Sequence, residues 1–310
     1  MRIVVVGAGA IGSLLGALLN RAGNDVTLVA RPDHVAAIAR DGLRLEGETT
    51  GTFAVRAVSS LPPGIDTDLC LLTVKTYDLR DAATVFGRTA QQPVPVVALE
   101  NGLGVESTVE EALLSAGWTE PGQWIVRGIN SIPATYVRPG TVRQAGEGEV
   151  LLADYRSGRH AEGVTETFRA AGIPARVDQD RERDVWRKVL VNAAINPVTA
   201  DHGIPNGRLL LDPYRGQALQ LLDEALTVAQ AEGVRFTDTD AQRELWRVVR
   251  ATSDNRSSML QDLDRGRRTE IDSISGAILA IGQRRGISLP ATARIVQRIH
   301  AKEPPRPKEP

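Results

Sequence analysis

The chain of 310 residues has little lysine. Of its 37 lysines and arginines only four are lysine: Lys75, Lys188, Lys302 and Lys308. Lys302 and Lys308 lie in or beside a Pro-rich end, so the body keeps lysine twice. Arginine cannot give up its proton in a protein, whereas lysine can when its pKa is lowered. Lys75 and Lys188 are therefore candidates for a site that must release a proton. Cysteine is scarcer still. The one thiol, Cys70, excludes an internal disulfide and fits a reducing, cytoplasmic setting; within the run Leu69–Val74 it reads as a core residue. Four scattered histidines (His34, His160, His202, His300) exclude a zinc motif. A formal net charge of −1 excludes any global attraction to nucleic acid or an anionic membrane. With 42% hydrophobic and 24% charged residues the composition is that of a soluble globular protein, long enough for about two domains.

The apolar stretch from Ile3 to Leu19 resembles a signal peptide, but four glycines interrupt it. Arg2–Val6 is a β-branched run, as expected of a strand buried on both faces. Gly7-Ala8-Gly9-Ala10-Ile11-Gly12 follows at once, a complete G-x-G-x-x-G, then a helix over Ser13–Ala22 closed by Gly23 and a second strand over Asp25–Ala30. In that setting Gly7 permits a tight turn, Gly9 lets the backbone approach a pyrophosphate, and Gly12 packs helix against strand. The helix N-terminus attracts the anion. The strand runs on to Arg31 with no acidic residue at its end, which favours the 2′-phosphate of NADP(H) over the bare ribose of NAD.

Strand signals recur at Asp68–Val74 and Val94–Leu99, followed by Lys75 and by Asn101-Gly102. Both sets of polar residues then sit beyond the carboxyl ends of strands, where open α/β sheets bind ligands. From Arg127 to Tyr155, β-rich segments predict an antiparallel extension of the sheet. Helical patterns dominate from about Arg181 to about Ala301. The expected architecture is α/β: a doubly wound N-terminal domain over 1–178, an all-helical domain over 179–302 and a disordered tail over 303–310.

Within Trp186–Pro197, Lys188, Asn192 and Asn196 recur at i, i+4, i+8 with only apolar residues between them, on a helix that Lys188 opens and Pro197 kinks. Buried amides and ammoniums need partners, either other protein groups or a polar ligand. Further on, Thr269 and Asp272 resemble a capping box, which places Glu270 in the first helical turn and on its apolar side. There it either stabilises the helix start or pairs with a cation, for which Lys188 is the natural candidate.

Together these residues resemble the ketopantoate reductase family. The resemblance rests on the Gly-rich turn, Lys75, Asn101-Gly102, Lys188–Thr199 and Ser258–Asp272, and spans most of the chain. It implies a Rossmann domain and an all-helical domain, and reduction of 2-dehydropantoate to pantoate with NADPH, a step toward coenzyme A. Lys188 would be the general acid and Glu270 would orient it or the substrate. Asn192, Asn196, Ser258 and Asn101 would bind substrate, and Gly7, Gly9, Ala10, Ile11, Gly12, Arg31, Lys75 and Asn101 the cofactor. No metal is implied, the partner is a small 2-oxo acid, and a homodimer is compatible with all of this. The chain departs from the family pattern at Glu100, often an uncharged polar residue, and over Gly128–Tyr136, which lacks the expected Thr and Gly. A reductase of another 2-oxo acid and a non-catalytic NADP(H) sensor are the alternatives.

Overall fold

The computed structural model describes residues 1–305, so residues 306–310 of the expected tail lie outside the described residues. Two compact units result. The first comprises Met1–Glu100 and Val105–Arg181; the second comprises Asn101–Gly104 and the chain from Glu182 onward.

The strands of the first unit are β1 (Arg2–Val6), β2 (Asp25–Val29), β3 (Leu43–Gly47), β4 (Gly51–Phe53), β5 (Arg56–Val58) and β6 (Leu69–Leu72). They continue with β7 (Val96–Ala98), β8 (Ile125–Asn130), β9 (Ala134–Arg138), β10 (Thr141–Gln144), β11 (Val150–Asp154) and β12 (Ala175–Val177). Its helices are α1 (Ala10–Arg21), α2 (Pro32–Asp41), α3 (Leu79–Thr89), α4 (Val105–Ser115) and α5 (Ala161–Ala170). The main sheet has the order β12-β11-β8-β7-β6-β1-β2-β5, parallel except where β11 runs antiparallel to β8. This is the expected Rossmann-type doubly wound sheet.

Alternation along β1 explains the layering. Ile3 and Val5 face a core with Leu14, Leu15 and Leu18 of α1 and Val164 and Phe168 of α5. Val4 and Val6 face the opposite core, with Phe86 of α3 and Val109 and Leu113 of α4. Each fully buried Leu, Ile or Phe contributes roughly 1.5–3 kcal/mol. A parallel strand covered on both faces must therefore be apolar along its covered length, and β1 from Ile3 to Val6 and the whole of β6 are. The chain builds outward from β1 through β2 to β5, then returns to build from β6 through β7 to β8. The switch point lies between the carboxyl ends of β1 and β6, the place where such sheets bind ligands.

One expectation needs correction. Of the strands in the Arg127–Tyr155 stretch only β8, parallel to β7, and β11, antiparallel to β8, lie in the main sheet; β9 and β10 join β3 and β4 in a separate four-stranded sheet, order β4-β3-β10-β9. Strand period alone does not say which partner a hairpin takes. Leu43, Leu45 and Val142 of this second sheet share the α1 core.

In the second unit the helices are α6 (Arg181–His202), α7 (Tyr214–Ala231), α8 (Asp238–Ala251), α9 (Ser258–Asp264), α10 (Ala277–Arg285) and α11 (Pro290–His300). A π-helical turn, Asp272–Gly276, leads into α10. Two local expectations fail here. Lys188 does not open its helix, because α6 begins at Arg181 and passes through Pro197 to His202. The capping box is not closed either: the Thr269 hydroxyl accepts from the Ile271 amide, but Asp272 is drawn to Arg268 Nη2 (3.0 Å) and His300 Nε2 (2.7 Å). Glu303, placed in the tail by the sequence, accepts from the Thr269 amide and hydroxyl at 2.7 and 2.6 Å. Among the described residues no helix is long and apolar enough to cross a membrane.

The start of α9 separates two adjacent serines. Ser257 is 5% exposed and its hydroxyl accepts from the Leu260 amide and from Thr199, whereas Ser258 is exposed. Ser257→Ala is expected to destabilise the protein by about 0.5–2 kcal/mol, the usual worth of an N-cap. Ser258→Ala should cost much less. Thermal melts of the two variants check this, and equal losses would contradict the capping assignment.

Candidate functional site

The turn between β1 and α1 is shaped by contacts that leave no room for side chains. Gly7 has φ +101°, and a Cβ there would lie 2.6 Å from Val74 Cγ1 and 2.7 Å from the Val74 amide nitrogen. A Cβ on Gly12 would strike Thr73 Oγ1 and the Gly7 carbonyl. Thr73 Oγ1 in turn donates to the Gly7 carbonyl at 2.9 Å. Two of the three motif glycines are thus explained by packing of the turn on the loop after β6.

Gly9 differs. Apart from its chain neighbours, the only atom of the described residues within 4 Å of a Cβ there is the Gly7 carbonyl oxygen, at 3.9 Å. Protein packing gives no reason for glycine at this position; close approach of a ligand does. Gly9 is the N-cap of α1, and its first turn carries no acidic residue. Helix geometry leaves the N–H groups of Ala10, Ile11 and Gly12 without intrahelical acceptors. An anion-binding cradle results, and it fits the pyrophosphate of a dinucleotide.

Two further residues flank that cradle. Lys75 is half-buried and follows Thr73 and Val74, so the loop that packs on the turn also carries it. Arg31 is the exposed N-cap of α2, two residues beyond β2, with its guanidinium 5.9 Å from the centre of the Tyr136 ring. The departure at Glu100 has a local answer. Glu100 is 3% exposed, and the Arg127 guanidinium, buried among Glu106, Glu100 and Arg181, donates to the Ala98 carbonyl at 3.2 Å. Burial pulls the Arg127 pKa down and the carboxylates of Glu106 and Glu100 oppose it. Burial, with Glu100 adding, pushes the Cys70 thiol well up, so Cys70 is an inert core thiol.

In the second unit Lys188, Asn192 and Asn196 fall on one line of α6, as the spacing requires. Lys188 and Asn192 are half-buried and Asn196 is 6% exposed. The side-chain amides of Asn192 and Asn196 make no hydrogen bond with any of the described residues. Neither amide is among the buried polar atoms that lack a partner, so both stay open to solvent or to a ligand. Pro197 takes one donor from the helix, the amide that would bond the Ala193 carbonyl.

Glu270 is 6% exposed and accepts from Asn101 Nδ2 at 3.1 Å across 169 residues of sequence. The π turn makes this pairing. The Leu103 amide donates to the Ser273 carbonyl at 3.1 Å, and Gly102, at φ +99°, lies so close to Ser273 that a Cβ could not fit. The Glu270 carbonyl accepts from the Ile274 amide and the Ser273 hydroxyl. Single π turns often mark functional positions, and here the turn fixes a carboxylate beside an amide. Ser273 and Ser257, which hold these elements, carry no sequence signal that separates them from other serines.

A cavity of about 450 Å³ opens at the C-terminal ends of α3 and α4, lined by Arg88, Gln91 and Trp118 among others. It lies at the amino-terminal edge of the strands, opposite the Gly-rich turn, and carries none of the residues above.

The chain resembles known proteins along nearly its whole length. Residues 3–157 match the family described as Ketopantoate reductase PanE/ApbA, and residues 180–303 match its C-terminal counterpart. The 2-dehydropantoate 2-reductase of Pyrococcus horikoshii is 35% identical over 306 residues, 98% of each chain. A solved PanE/ApbA family ketopantoate reductase from Ralstonia eutropha superposes with a TM-score of 0.87 at 31% identity, over 97% of this chain and 98% of that one. A ternary structure of D-mandelate dehydrogenase with NADH and anilino(oxo)acetate gives 0.90 at 25% identity, with the same coverage. The chain therefore belongs to the ketopantoate reductase family and is an oxidoreductase.

Proposed function

We propose that this chain reduces the ketone of 2-dehydropantoate to the alcohol of pantoate with NADPH. The observation that carries the reading is the stripe on α6. Two amides without hydrogen-bonding partners among the described residues stand in line with a lysine, in a chain whose positive charge is mostly arginine. A small 2-oxo acid supplies what the stripe lacks, since its carboxylate and carbonyl oxygens accept hydrogen bonds from Asn192 and Asn196. The relatives named 2-dehydropantoate 2-reductase support this substrate.

The reduced nicotinamide, when bound, supplies hydride to the ketone carbon. The protein supplies position and a proton. Lys188, as the ammonium, donates a hydrogen bond to the ketone oxygen and transfers its proton there as charge develops. Glu270 holds the ammonium form, while Asn101 fixes one of its carboxylate oxygens. Ala10, Ile11 and Gly12 offer amides to the pyrophosphate, Lys75 adds charge beside the turn, and Arg31 receives the 2′-phosphate. Ser258, exposed at the first turn of α9, is the remaining substrate contact in this reading. The D-mandelate dehydrogenase likeness favours one second reading, a reductase of another 2-oxo acid on the same scaffold. Initial rates for a panel of 2-oxo acids, each with NADPH and with NADH, decide between them. The proposal requires 2-dehydropantoate with NADPH to have the highest kcat/KM.

Arg31→Ala should weaken NADPH by roughly 1.5–3 kcal/mol, the worth of a charge-assisted hydrogen bond, and leave NADH nearly unchanged. Equal losses for both cofactors would show that Arg31 does not read the phosphate. Lys188→Ala should lower kcat by about 10²–10⁴ while NADPH still binds. Lys188→Arg should restore little, because the guanidinium keeps its proton; near-normal turnover in that variant would reduce Lys188 to an electrostatic anchor. Glu270→Gln keeps an acceptor for Asn101 and removes only the charge. A lysine deprived of a carboxylate neighbour deprotonates more easily, so the basic limb of the pH–rate profile should move to lower pH. An unmoved profile with wild-type kcat would confine Glu270 to the helix start.

A further inference from the structure

We propose that Tyr136, braced by His34, is a specificity-determining residue: it is the platform that sets Arg31 to receive the adenosine 2′-phosphate. The inference rests on the reading of Arg31 as the phosphate-binding residue and extends it to the second sheet, outside the β1-α1-β2 motif.

Arg31 is exposed, and a long exposed side chain loses rotamer freedom when an anion orders it. A surface that orders it beforehand reduces that loss. The Tyr136 ring offers one, with the guanidinium carbon 5.9 Å from its centroid, inside the reach of a cation–π contact. Tyr136 belongs to β9, and it closes the Gly128–Tyr136 stretch that departs from the family pattern.

Tyr136 is itself tied down. Its ring lies 5.1 Å from that of His34, tilted by 53°, and its hydroxyl is 3.3 Å from His34 Nδ1. The Gly140 amide donates to the same nitrogen at 2.8 Å. Nδ1 is therefore an acceptor, which leaves the ring proton on Nε2. Nε2 then donates to Ser13 Oγ at 3.1 Å, and Ser13 Oγ donates to the Ala8 carbonyl at 3.1 Å. Ala8 stands between Gly7 and Gly9. One line of hydrogen bonds thus joins the β9–β10 hairpin, through α2 and α1, to the turn proposed to hold the pyrophosphate. The line needs a neutral imidazole. His34 is 1% exposed, and burial lowers its pKa; Asp33 raises it and Arg31 lowers it. The arrangement fixes the distance between the pyrophosphate cradle and Arg31, the two points a phosphorylated adenosine must span.

The test measures KM for NADPH and for NADH, with thermal melts, in the wild type, Arg31→Ala, Tyr136→Leu, Tyr136→Phe and the Arg31→Ala/Tyr136→Leu double variant. Tyr136→Leu should raise KM for NADPH by about 3- to 10-fold, from the loss of the cation–π platform, and leave KM for NADH unchanged. Tyr136→Phe keeps a ring and should keep the wild-type preference. The double variant should be no worse with NADPH than Arg31→Ala alone, since the platform acts only through the arginine. Arg31→Lys, which keeps Tyr136 in place and charge without a planar group, should lose part of the preference even if Tyr136→Leu does not fold. A Tyr136→Leu enzyme with unchanged preference, or with equal losses for both cofactors, overturns the proposal while Arg31→Ala still discriminates. If Arg31→Ala does not discriminate, the phosphate reading falls and the proposal falls with it.

Discussion

The first unit is organised by one steric constraint, the contact of the Gly7 turn with the Thr73–Val74 loop. β1 and β6 are neighbours, and the chain leaves both at the same edge of the sheet. The two exits press together until no Cβ fits at Gly7 or Gly12. That approach points the first turn of α1 over the switch point and leaves its amides facing outward. It also decides where Lys75 stands, because the loop that packs on the turn carries the lysine. A larger residue at Gly12 would separate the exits and disturb both the cradle and Lys75. The open space at Gly9 is the complement of the same arrangement: the turn is tight toward the protein and open away from it.

The second unit accepts a cost in the middle of its longest helix. α6 buries Ala193, Ala194, Ile195 and Val198 on several sides, yet carries Lys188, Asn192 and Asn196 along one of them. Polar side chains along an otherwise apolar helix forgo the burial that aliphatic residues would contribute there. A fold that needed only stability would place leucine at these positions. Pro197 fits the same pattern, since it withdraws a backbone donor from the helix beside Asn196. The π turn at Asp272–Gly276 places a buried carboxylate against Asn101 in the same unit.

Much of this was legible in the sequence because it depends on local periodicity. β1 reads as a buried strand from four consecutive β-branched residues, and the turn follows without a gap. The α6 stripe follows from 3.6 residues per turn. What was not legible depends on pairing at a distance. Whether β9–β10 joins the main sheet or β3–β4 is a choice between partners, and short strands carry little information about it. Ser257 and Ser258 are chemically identical neighbours, and only the cap geometry tells which is buried. The Thr269–Asp272 pattern failed because Arg268 and His300 compete for the aspartate. The Asn101–Glu270 bond and the His34 relay join segments that no sequence window contains together. Lys188 opens the apolar run, but its helix starts two turns earlier through charged Arg181–Asp184.

The central claim is that the α6 amides exist to hold the oxygens of a 2-oxo acid. Calorimetric titration of the NADP⁺-loaded protein with 2-dehydropantoate tests it without turnover, because the oxidised cofactor has no hydride to give. The wild type should bind the acid, and replacing both Asn192 and Asn196 by alanine should weaken that binding by about tenfold or more, the worth of hydrogen bonds to a charged acceptor. NADP⁺ affinity should be unchanged. Equal affinity for the acid in wild type and double variant would contradict the account and return the stripe to a role in packing.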